Sequence, residues 1–483
     1  MNAARNIAKN TSLLLTAQVL NFVLAFFYTV YYANYLGAAG FGMISTALAL
    51  AGILTIFTDL GLTSLTVRDV ARDKLLASRY LGNITVIKLI FSVITLLATF
   101  VIVYLFFNDP TSATVIYIMT IALILGVISG TFGSVFQAYE KMEYISVTIV
   151  LNAILMLIGI YLAIYYNANI LAFAMVYLII NFIILICNIA ICLWRFVVPK
   201  FEVDLKFWKS LIFESYPLAI SSIFAIIAFK VDIILLSYIS GDAATGFYSA
   251  AYKLLEALMF IPSVYATAIV PVFSKFHIDS RESLQFSYYK SFKYLSILGI
   301  PIAVGTTLLA NEIILLIFKS GFIEAVPVLQ ILIWAVPIIF VSYVLGVSIM
   351  SINRQHESVR ITFIAMVLNV ILNLILIPIY GYIGAAIVTV ITELSLFLLY
   401  YHLISKHLCK IKLRKILVKP IVASFFMAFS IILIKTYVYV GGINLFVVII
   451  LATLIYFAVL ILLKSFSDSD KEIFKDILGN IDK

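Results

Sequence analysis

Residues 443–463 read INLFVVIILATLIYFAVLILL, and no charged side chain interrupts them. An apolar run of about 20 residues is long enough to cross the hydrocarbon core of a bilayer as one α-helix. Similar runs recur along the whole chain, which is 64% hydrophobic and only 11% charged. Because a soluble domain is usually about one quarter charged, the composition excludes a soluble protein and predicts an all-α integral membrane protein.

The apolar runs predict about 14 transmembrane helices, since each needs about 20 residues. Two pairs of neighbouring helices are separated by only a few residues, at Gly37–Gly40 and Pro378–Gly384. Glycine and proline are common in tight turns, so we place a turn at each of these positions. A short charged tail, Ser465–Lys483, follows the last helix.

Basic residues are unevenly distributed between the connectors of the predicted helices. Most of the 32 Lys and Arg residues lie in the N-terminus, the even-numbered connectors and the tail, whereas the odd-numbered connectors contain only Lys319 and Lys435. Positively charged connectors stay in the cytoplasm. The sequence therefore predicts a multi-pass protein of the cell (cytoplasmic) membrane with both termini in the cytoplasm. This topology explains the net charge of +9, and no nucleic acid partner is expected.

The sequence has no pattern typical of a metal or cofactor site. The cysteines Cys187, Cys192 and Cys409 lack the paired spacing of a metal site or a disulfide framework. No Gly-rich loop ending in Lys is present that could bind nucleotide phosphates. The four histidines lie in or beside basic cytoplasmic connectors, and no large extracytoplasmic loop is predicted that could hold catalytic groups. We therefore expect no metal, no cofactor and no enzymatic activity.

Short sequence matches indicate an internal repeat. Gly40–Gly42 reads GFG at the start of helix two, and Gly246–Tyr248 reads GFY at the start of helix eight. Leu151–Leu155 reads LNAIL in helix five, and Leu368–Leu372 reads LNVIL in helix eleven. Each match recurs six helices later, and an even number of spans preserves orientation. This predicts two halves related by an axis along the membrane normal, as in some secondary transporters.

Five stretches, read together, are typical of one family of membrane proteins. They are Tyr35–Gly37, Gly40–Gly42, Asp59–Leu62, Gly246–Lys253 and Asn373–Ala386, and the last of them, NLILIPIYGYIGAA, is the most specific. On these residues the chain resembles polysaccharide and O-antigen flippases of the multidrug/oligosaccharidyl-lipid/polysaccharide exporter superfamily. The resemblance covers nearly the whole chain.

The resemblance implies two six-helix bundles, residues 1–210 and 211–405, around a central cavity and related by a pseudo-twofold axis along the membrane normal. Two further transmembrane helices and a short cytoplasmic tail would occupy residues 406–483. It also implies that a lipid-diphosphate-linked oligosaccharide is moved from the inner to the outer leaflet by alternating access, for surface polysaccharide biosynthesis. One departure concerns helix one: the lipid II flippase branch carries arginines there, whereas this helix offers only Gln18 and Asn21.

Four ionisable residues fall near the middle of the membrane in helices seven and eight. At 1.5 Å per residue, Lys230, Asp232, Lys253 and Glu256 lie roughly 10–16 Å below the outer edge. Ionisable groups at this depth are functional candidates. In one interpretation, the two lysines bind the substrate diphosphate, and the two acids tune them or bind a coupling cation. In the other, the four residues form a neutral structural tetrad.

Three further candidates lie elsewhere in the membrane. Lys88, in helix three, either captures the phosphate from the inner leaflet or extends its ammonium group to the cytoplasmic surface. Glu393, deep in helix twelve, is a candidate for binding a proton or Na⁺. Asp59 and Arg68 lie at the cytoplasmic end of helix two, where an ion pair in the loop is expected in preference to a contact with substrate.

Helix one carries a polar stripe at helical spacing, formed by Thr11, Gln18, Asn21, Thr29 and Tyr32. A cavity for a hydrated sugar needs neutral donors and acceptors on one face, which makes Gln18 and Asn21 candidate substrate-binding residues. Hydrogen bonding between packed transmembrane helices is an equally good explanation.

The sequence thus predicts a flippase whose partners are a lipid-linked oligosaccharide, membrane lipids, a coupling H⁺ or Na⁺ and polysaccharide polymerase machinery. A cation-coupled exporter of drugs or small molecules from the same superfamily is the main alternative. Lysines within the membrane favour an anionic substrate and therefore the first interpretation. The lipid II flippase is the second alternative.

Overall fold

The computed structural model of the protein describes residues 2–202, 204–438, 440–467 and 470, with the backbone alone at 2–8, 217, 218 and 221. Most of the predicted tail therefore lies outside the described residues. The described part is α-helical, with two short 3₁₀ helices at Lys74–Leu76 and Ser320–Phe322. The α-helices are α1 (Asn2–Asp59), α2 (Leu62–Arg72), α3 (Ala77–Phe106), α4 (Pro110–Ala138), α5 (Met142–Tyr165), α6 (Ile170–Arg195), α7 (Leu205–Ser240), α8 (Asp242–Asp279), α9 (Arg281–Phe318), α10 (Ala325–Leu332), α11 (Ala335–Ser351), α12 (Gln355–His407), α13 (Leu413–Tyr437) and α14 (Ile443–Leu462).

Helices α1 and α12 each contain two membrane crossings. They run for 58 and 53 residues, and an unbroken helix of this length would be about 80 Å long, roughly twice the thickness of a bilayer. Gly37 and Gly381 interrupt them with φ angles of 69° and 55°, which glycine adopts without steric cost. Both predicted tight turns are confirmed at these glycines.

The predicted number of transmembrane helices is also confirmed. Within the described residues, 12 helices are long and apolar enough to cross a membrane. Dividing the two longest at Gly37 and Gly381 gives 14 crossings. One predicted span, near 326–350, is formed by the short helix α10 and by α11. Pro337 lies in the first turn of α11, where a missing N–H costs nothing.

The connector after the second crossing differs from the expected loop because it contains the amphipathic helix α2. The chain leaves α1 through two left-handed residues, Leu60 at φ 44° and Gly61 at φ 78°. Leu62, Leu65 and Val70 are then buried on one side of α2. Apolar residues at this spacing form one face of a helix, and that face fixes the connector against the transmembrane helices.

Two compact units make up the chain. The first contains residues 1–250 and 366–385, and the second contains residues 251–365 and 386–483. In the first unit, α1 packs against α4, α5 and α7, and α4 packs against α6. In the second, α9 packs against α11, α13 and α14. The bundle boundaries expected from the family resemblance remain a prediction.

The two GF-containing segments of the predicted repeat contact one another within the first unit. A Cβ atom at Gly42 would lie 1.9 Å from the backbone oxygen of Asp242, and a Cβ at Gly246 would lie 1.9 Å from the backbone oxygen of Ala38. Real Cβ atoms do not approach a backbone oxygen so closely. Each glycine therefore admits the backbone of the opposite segment, and this reciprocal contact supports the repeat.

In the second unit, the start of the tail is bound to α9. The side chains of Lys290, Lys293 and Tyr294 all donate to the fully buried carboxylate of Asp470, at 2.6 Å for Lys293 and 2.7 Å for Tyr294. The backbone N–H of Ser467 donates to the same carboxylate at 2.7 Å. Burial alone would raise the pKa of Asp470, but these hydrogen bonds outweigh it and hold the pKa well below its usual range.

Candidate functional site

Lys88 lies at the centre of a closed polar cluster in the first unit. Its side chain is fully buried, and its Nζ lies 2.6 Å from Asp59 Oδ1, 2.8 Å from Thr63 Oγ1 and 3.3 Å from the backbone oxygen of Val127. Thr63 also donates to Asp59. All three ammonium protons of Lys88 are therefore directed at protein acceptors. The interpretation that Lys88 extends to the cytoplasmic surface is wrong, and phosphate capture by Lys88 stays a prediction.

The ion pair expected between Asp59 and Arg68 is also wrong. The left-handed Leu60–Gly61 turn separates the two residues, so Asp59 pairs with Lys88 across the helices. Arg68 instead binds Asp69 and Glu214 in the first unit, each at 2.7 Å. Burial raises the pKa of Asp69, but hydrogen bonds from Arg68 and Tyr80 outweigh that effect and keep the pKa below its usual value.

Asp232 is a buried carboxylate on α7 that has a partner on α8. It accepts hydrogen bonds from the Tyr248 hydroxyl and, at 2.9 Å, from the backbone N–H of Ile233. Lys230, two residues earlier, is partly buried and attracts the carboxylate electrostatically. Sequence reasoning missed Tyr248 as a functional residue, although Tyr248 ends the GFY segment of the repeat. The two residues lie 16 positions apart, on either side of the predicted helical hairpin.

Lys253 and Glu256 face one another along one turn of α8. The Lys253 Nζ and Glu256 Oε2 atoms are 3.3 Å apart, and the side chains are 26% and 31% exposed. This pair is longer and more open than the one at Lys88, and the contacts of the described residues use one ammonium proton of Lys253. The described contacts thus pair Lys253 with the acid on its own helix, while the four-residue tetrad stays a prediction.

The polar stripe of helix one divides into an open half and a packed half. Gln18 is exposed and Asn21 is partly buried. Further along α1, Thr29 and Tyr32 are buried, and Tyr32 forms a side-chain hydrogen bond with Tyr177 of α6. Hydrogen bonding between packed helices therefore accounts for the Tyr32 end of the stripe, whereas Gln18 keeps its amide group accessible.

Two buried asparagines on α12 form a polar site that the sequence analysis quoted without assigning. Asn373 Nδ2 donates to Asn369 Oδ1 at 2.9 Å, and both side chains are buried. Asn373 Oδ1 has no hydrogen-bond donor among the described residues. Further along α12, Glu393 is partly buried and interacts electrostatically with Tyr343 of α11. The described residues contain no group of three or more His, Cys, Asp or Glu side chains that could hold a metal ion.

Comparisons with known proteins agree on the type of protein. A family model described as "Polysaccharide biosynthesis protein" matches residues 7–277, and a second, described as "MatE", matches residues 217–375. A protein named "Probable low-salt glycan biosynthesis flippase Agl15", from Haloferax volcanii, is 24% identical over 83% of this chain and 84% of its own length. The capsular polysaccharide biosynthesis protein CapF of Staphylococcus aureus is 23% identical over 75% of this chain and 90% of its own length.

A solved structure has the same overall fold. The structure of the lipid II flippase MurJ in an inward closed conformation superposes with a TM-score of 0.76. The comparison covers 96% of this chain and 99% of MurJ, at 18% sequence identity. At this level of identity the likeness concerns the fold, which is that of an all-α membrane transporter.

Proposed function

The chain belongs to the polysaccharide biosynthesis protein family, and on that basis we propose that it is a flippase for lipid-diphosphate-linked oligosaccharides. It moves its substrate from the inner to the outer leaflet for the assembly of surface polysaccharide. It binds and releases the substrate without changing it covalently, as a transporter rather than an enzyme. The relatives named as glycan and capsular polysaccharide proteins support this substrate class.

The observation that carries the proposal is the open lysine on α8. The side chain of Lys253 is 26% exposed although it lies within a membrane-spanning helix. Ionisable groups in such helices almost always face the bundle interior or a water-filled path. Lys253, assisted by Lys230, binds the diphosphate, and Gln18 and Asn21 offer neutral donors and acceptors to the sugar. Lys88 is left out of this site, because three protein acceptors already hold its buried ammonium group.

Movement of an anionic substrate also needs a driving force, which we assign to a cation gradient. Asp232 is the leading candidate for binding H⁺ or Na⁺, because its buried carboxylate is held by a tyrosine hydroxyl and a backbone N–H. Glu256 and Glu393 are the other candidates. Polysaccharide polymerase machinery would then receive the substrate on the outer side.

The proposed location is the cytoplasmic membrane with both termini in the cytoplasm. The contact between Asp470 and Lys290 supports this orientation, because it places the start of the tail on the same side of the membrane as the connector between α8 and α9. Both segments were assigned to the cytoplasm from their basic residues.

The two alternative functions, drug export and lipid II flipping, predict different residues in the substrate site. The MatE match covers part of the second half and keeps a cation-coupled drug exporter as the main alternative. A cationic drug would be repelled by Lys230 and Lys253, whereas an anionic diphosphate is attracted. A lipid II flippase shares the fold, but residues 11–37, the first crossing of α1, contain none of the arginines expected of that branch.

A vesicle assay tests the proposal. A fluorescent lipid-diphosphate oligosaccharide is placed in the outer leaflet, and a membrane-impermeant quencher reports the fraction that has left it. We expect faster protection in vesicles with the protein than without it, and a loss of at least tenfold in Lys253→Gln. Lys319→Gln, which changes a lysine of an odd-numbered connector, is the matched control.

Two results would contradict the flippase assignment. One is equal protection in empty and protein-containing vesicles. The other is movement of a cationic dye driven by an ion gradient in the same vesicles, which would favour drug export.

A further inference from the structure

A polar pocket lies in the second unit, away from the residues assigned to transport. It has a volume of about 460 Å³ and opens beside the end of α9, the end of α13 and the connector after α13. Its lining includes Asn311, Glu312 and Lys435, with Leu315 and Leu316 on the α9 side. Charged groups and apolar side chains thus line the same pocket at the end of transmembrane helices.

Lys435 is fixed in this pocket but keeps hydrogen-bonding capacity. Its Nζ lies 2.8 Å from Glu312 Oε1 and donates at 2.8 Å to the backbone oxygen of Leu308. An ammonium group has three protons, and the described residues provide no third acceptor for this one. The Lys435 side chain is 34% exposed, so the remaining proton is accessible to a ligand.

Glu312 offers the complementary charge. Its side chain is only 12% exposed, and its Oε2 atom, which is buried from solvent, has no hydrogen-bond donor among the described residues. A ligand ammonium group reaches this oxygen once the carboxylate rotates towards the pocket. A carboxylate oxygen in such surroundings gains from a positively charged donor. Lys435 and Glu312 together leave the pocket close to neutral, so that a ligand carrying both charges fits better than a simple anion.

The connector adds a backbone surface. Gly441 and Gly442 line the pocket, Gly442 has a φ angle of 56°, and a Cβ atom there would meet nothing within 4 Å. Glycine leaves the backbone open to close approach by a ligand. On the opposite side, Leu315 and Leu316 are 39% and 43% exposed, which suits the apolar chains next to a lipid headgroup.

We propose that this pocket binds the headgroup of a zwitterionic phospholipid that carries a phosphate and a primary ammonium group. Lys435 and the Gly441–Gly442 backbone hold the phosphate, and Glu312 holds the ammonium group. The connector after α13 is odd-numbered, so the lipid comes from the extracytoplasmic leaflet. The assignment of the leaflet rests on the proposed topology, and the binding site itself is independent of the proposed transport function.

Calorimetric titration of the purified full-length protein in detergent tests this site. The probes are a short-chain phosphatidylethanolamine, the matching phosphatidylglycerol and free phosphoethanolamine. We expect saturable binding of phosphatidylethanolamine, weaker binding of the other two, and a loss of at least tenfold in Lys435→Gln and in Glu312→Gln. Lys319→Gln, at another odd-numbered connector, is expected to bind like the unchanged protein.

The exchange variant Glu312→Lys/Lys435→Glu controls for folding because it retains an ion pair at the same place. It is expected to fold and to lose the preference for phosphatidylethanolamine. Binding that is unchanged in this variant and in both single variants would overturn the proposal. If phosphatidylglycerol bound as tightly as phosphatidylethanolamine, the claim that the ligand is zwitterionic would be wrong. If only free phosphoethanolamine bound, the claim that the ligand is a lipid would be wrong.

Discussion

Two lysine–carboxylate pairs within the membrane-spanning helices differ in almost every physical respect. The ammonium group of Lys88 is fully buried and surrounded by three protein acceptors. Among the described residues, the ammonium group of Lys253 pairs with one acid, at 3.3 Å, on its own helix. Each pair joins a lysine to a carboxylate, so the types of charge alone do not distinguish them.

The difference indicates what each lysine does. A buried ion pair is weak evidence for net stability, but removal of one partner leaves an uncompensated charge and is strongly destabilising. Lys88 therefore acts as a positioning residue that holds α1, α2, α3 and α4 together around the left-handed turn after Asp59. Among the described residues Lys253 has one ion-pair partner, which is compatible with the substrate binding proposed for it.

Replacement of Lys88 gives the largest expected effect. Lys88→Met leaves the Asp59 carboxylate without its partner, and we expect a loss of about 3–5 kcal/mol of unfolding free energy. Denaturation of the purified protein in detergent measures it. Asp59→Asn/Lys88→Met removes both charges and is expected to recover much of the loss. If Lys88→Met were as stable as the unchanged protein, the structural role assigned to the Lys88–Asp59 pair would be wrong.

Asp470 is a second buried charge held by protein partners. It tests whether such buried, paired charges generally stabilise the fold. Asp470→Asn leaves Lys290 and Lys293 without their carboxylate, and we expect a loss of about 2–4 kcal/mol. Because the pKa of Asp470 is lowered in the folded protein, its contribution is complete above the unfolded pKa of about 4 and is lost as the pH falls through the folded pKa.

The measurement for Asp470 is the difference in stability between Asp470→Asn and the unchanged protein as a function of pH. This difference is expected to stay constant from neutral pH down to about pH 5 and to shrink below about pH 4. A difference that grows on acidification would have the wrong sign and would reject the assigned role.

Replacement of Tyr248 is expected to cause an intermediate loss of unfolding free energy. Tyr248→Phe removes the hydroxyl that donates to Asp232, and a hydrogen bond to a charged group contributes about 1.5–3 kcal/mol. If Asp232 binds the coupling cation, this variant also changes the dependence of transport on the ion gradient. Tyr238→Phe, which changes an exposed tyrosine near the end of α7, is the control. Unchanged stability together with unchanged ion dependence would exclude a role for the pair.

Lys253 gives the smallest effect on stability. Lys253→Gln is expected to change the unfolding free energy by less than about 1 kcal/mol, as for other open ion pairs, while it abolishes most of the transport. A loss of stability as large as that of Lys88→Met would show that the two pairs are equivalent and would remove the basis of the comparison.

The sequence predicted the fold well because membrane crossings are local properties. Hydropathy located the helices, and glycine at positions 37 and 381 marked the turns that divide α1 and α12. Helix α2 was harder, because its apolar face is short and lies within a basic connector that reads as a loop.

The candidate site was predicted only in part, because its contacts join residues far apart in sequence. Lys88 meets Asp59 only after the Leu60–Gly61 turn has set the direction of α2, and no local pattern specifies that turn. Arg68 finds its second partner, Glu214, 146 residues away. Tyr248 was noted only as part of the GFY repeat segment, since nothing in its own sequence neighbourhood indicates that its hydroxyl meets Asp232.

The bond between Lys290 and Asp470 also constrains how the protein is made. The two residues are 180 positions apart, and ribosomes add about 5–20 residues per second. Helix α9 therefore waits on the order of 10–40 s for its carboxylate. A chain that stops before residue 470 leaves two lysines of α9 without this partner, so this part of the second unit forms only after Asp470 has been added.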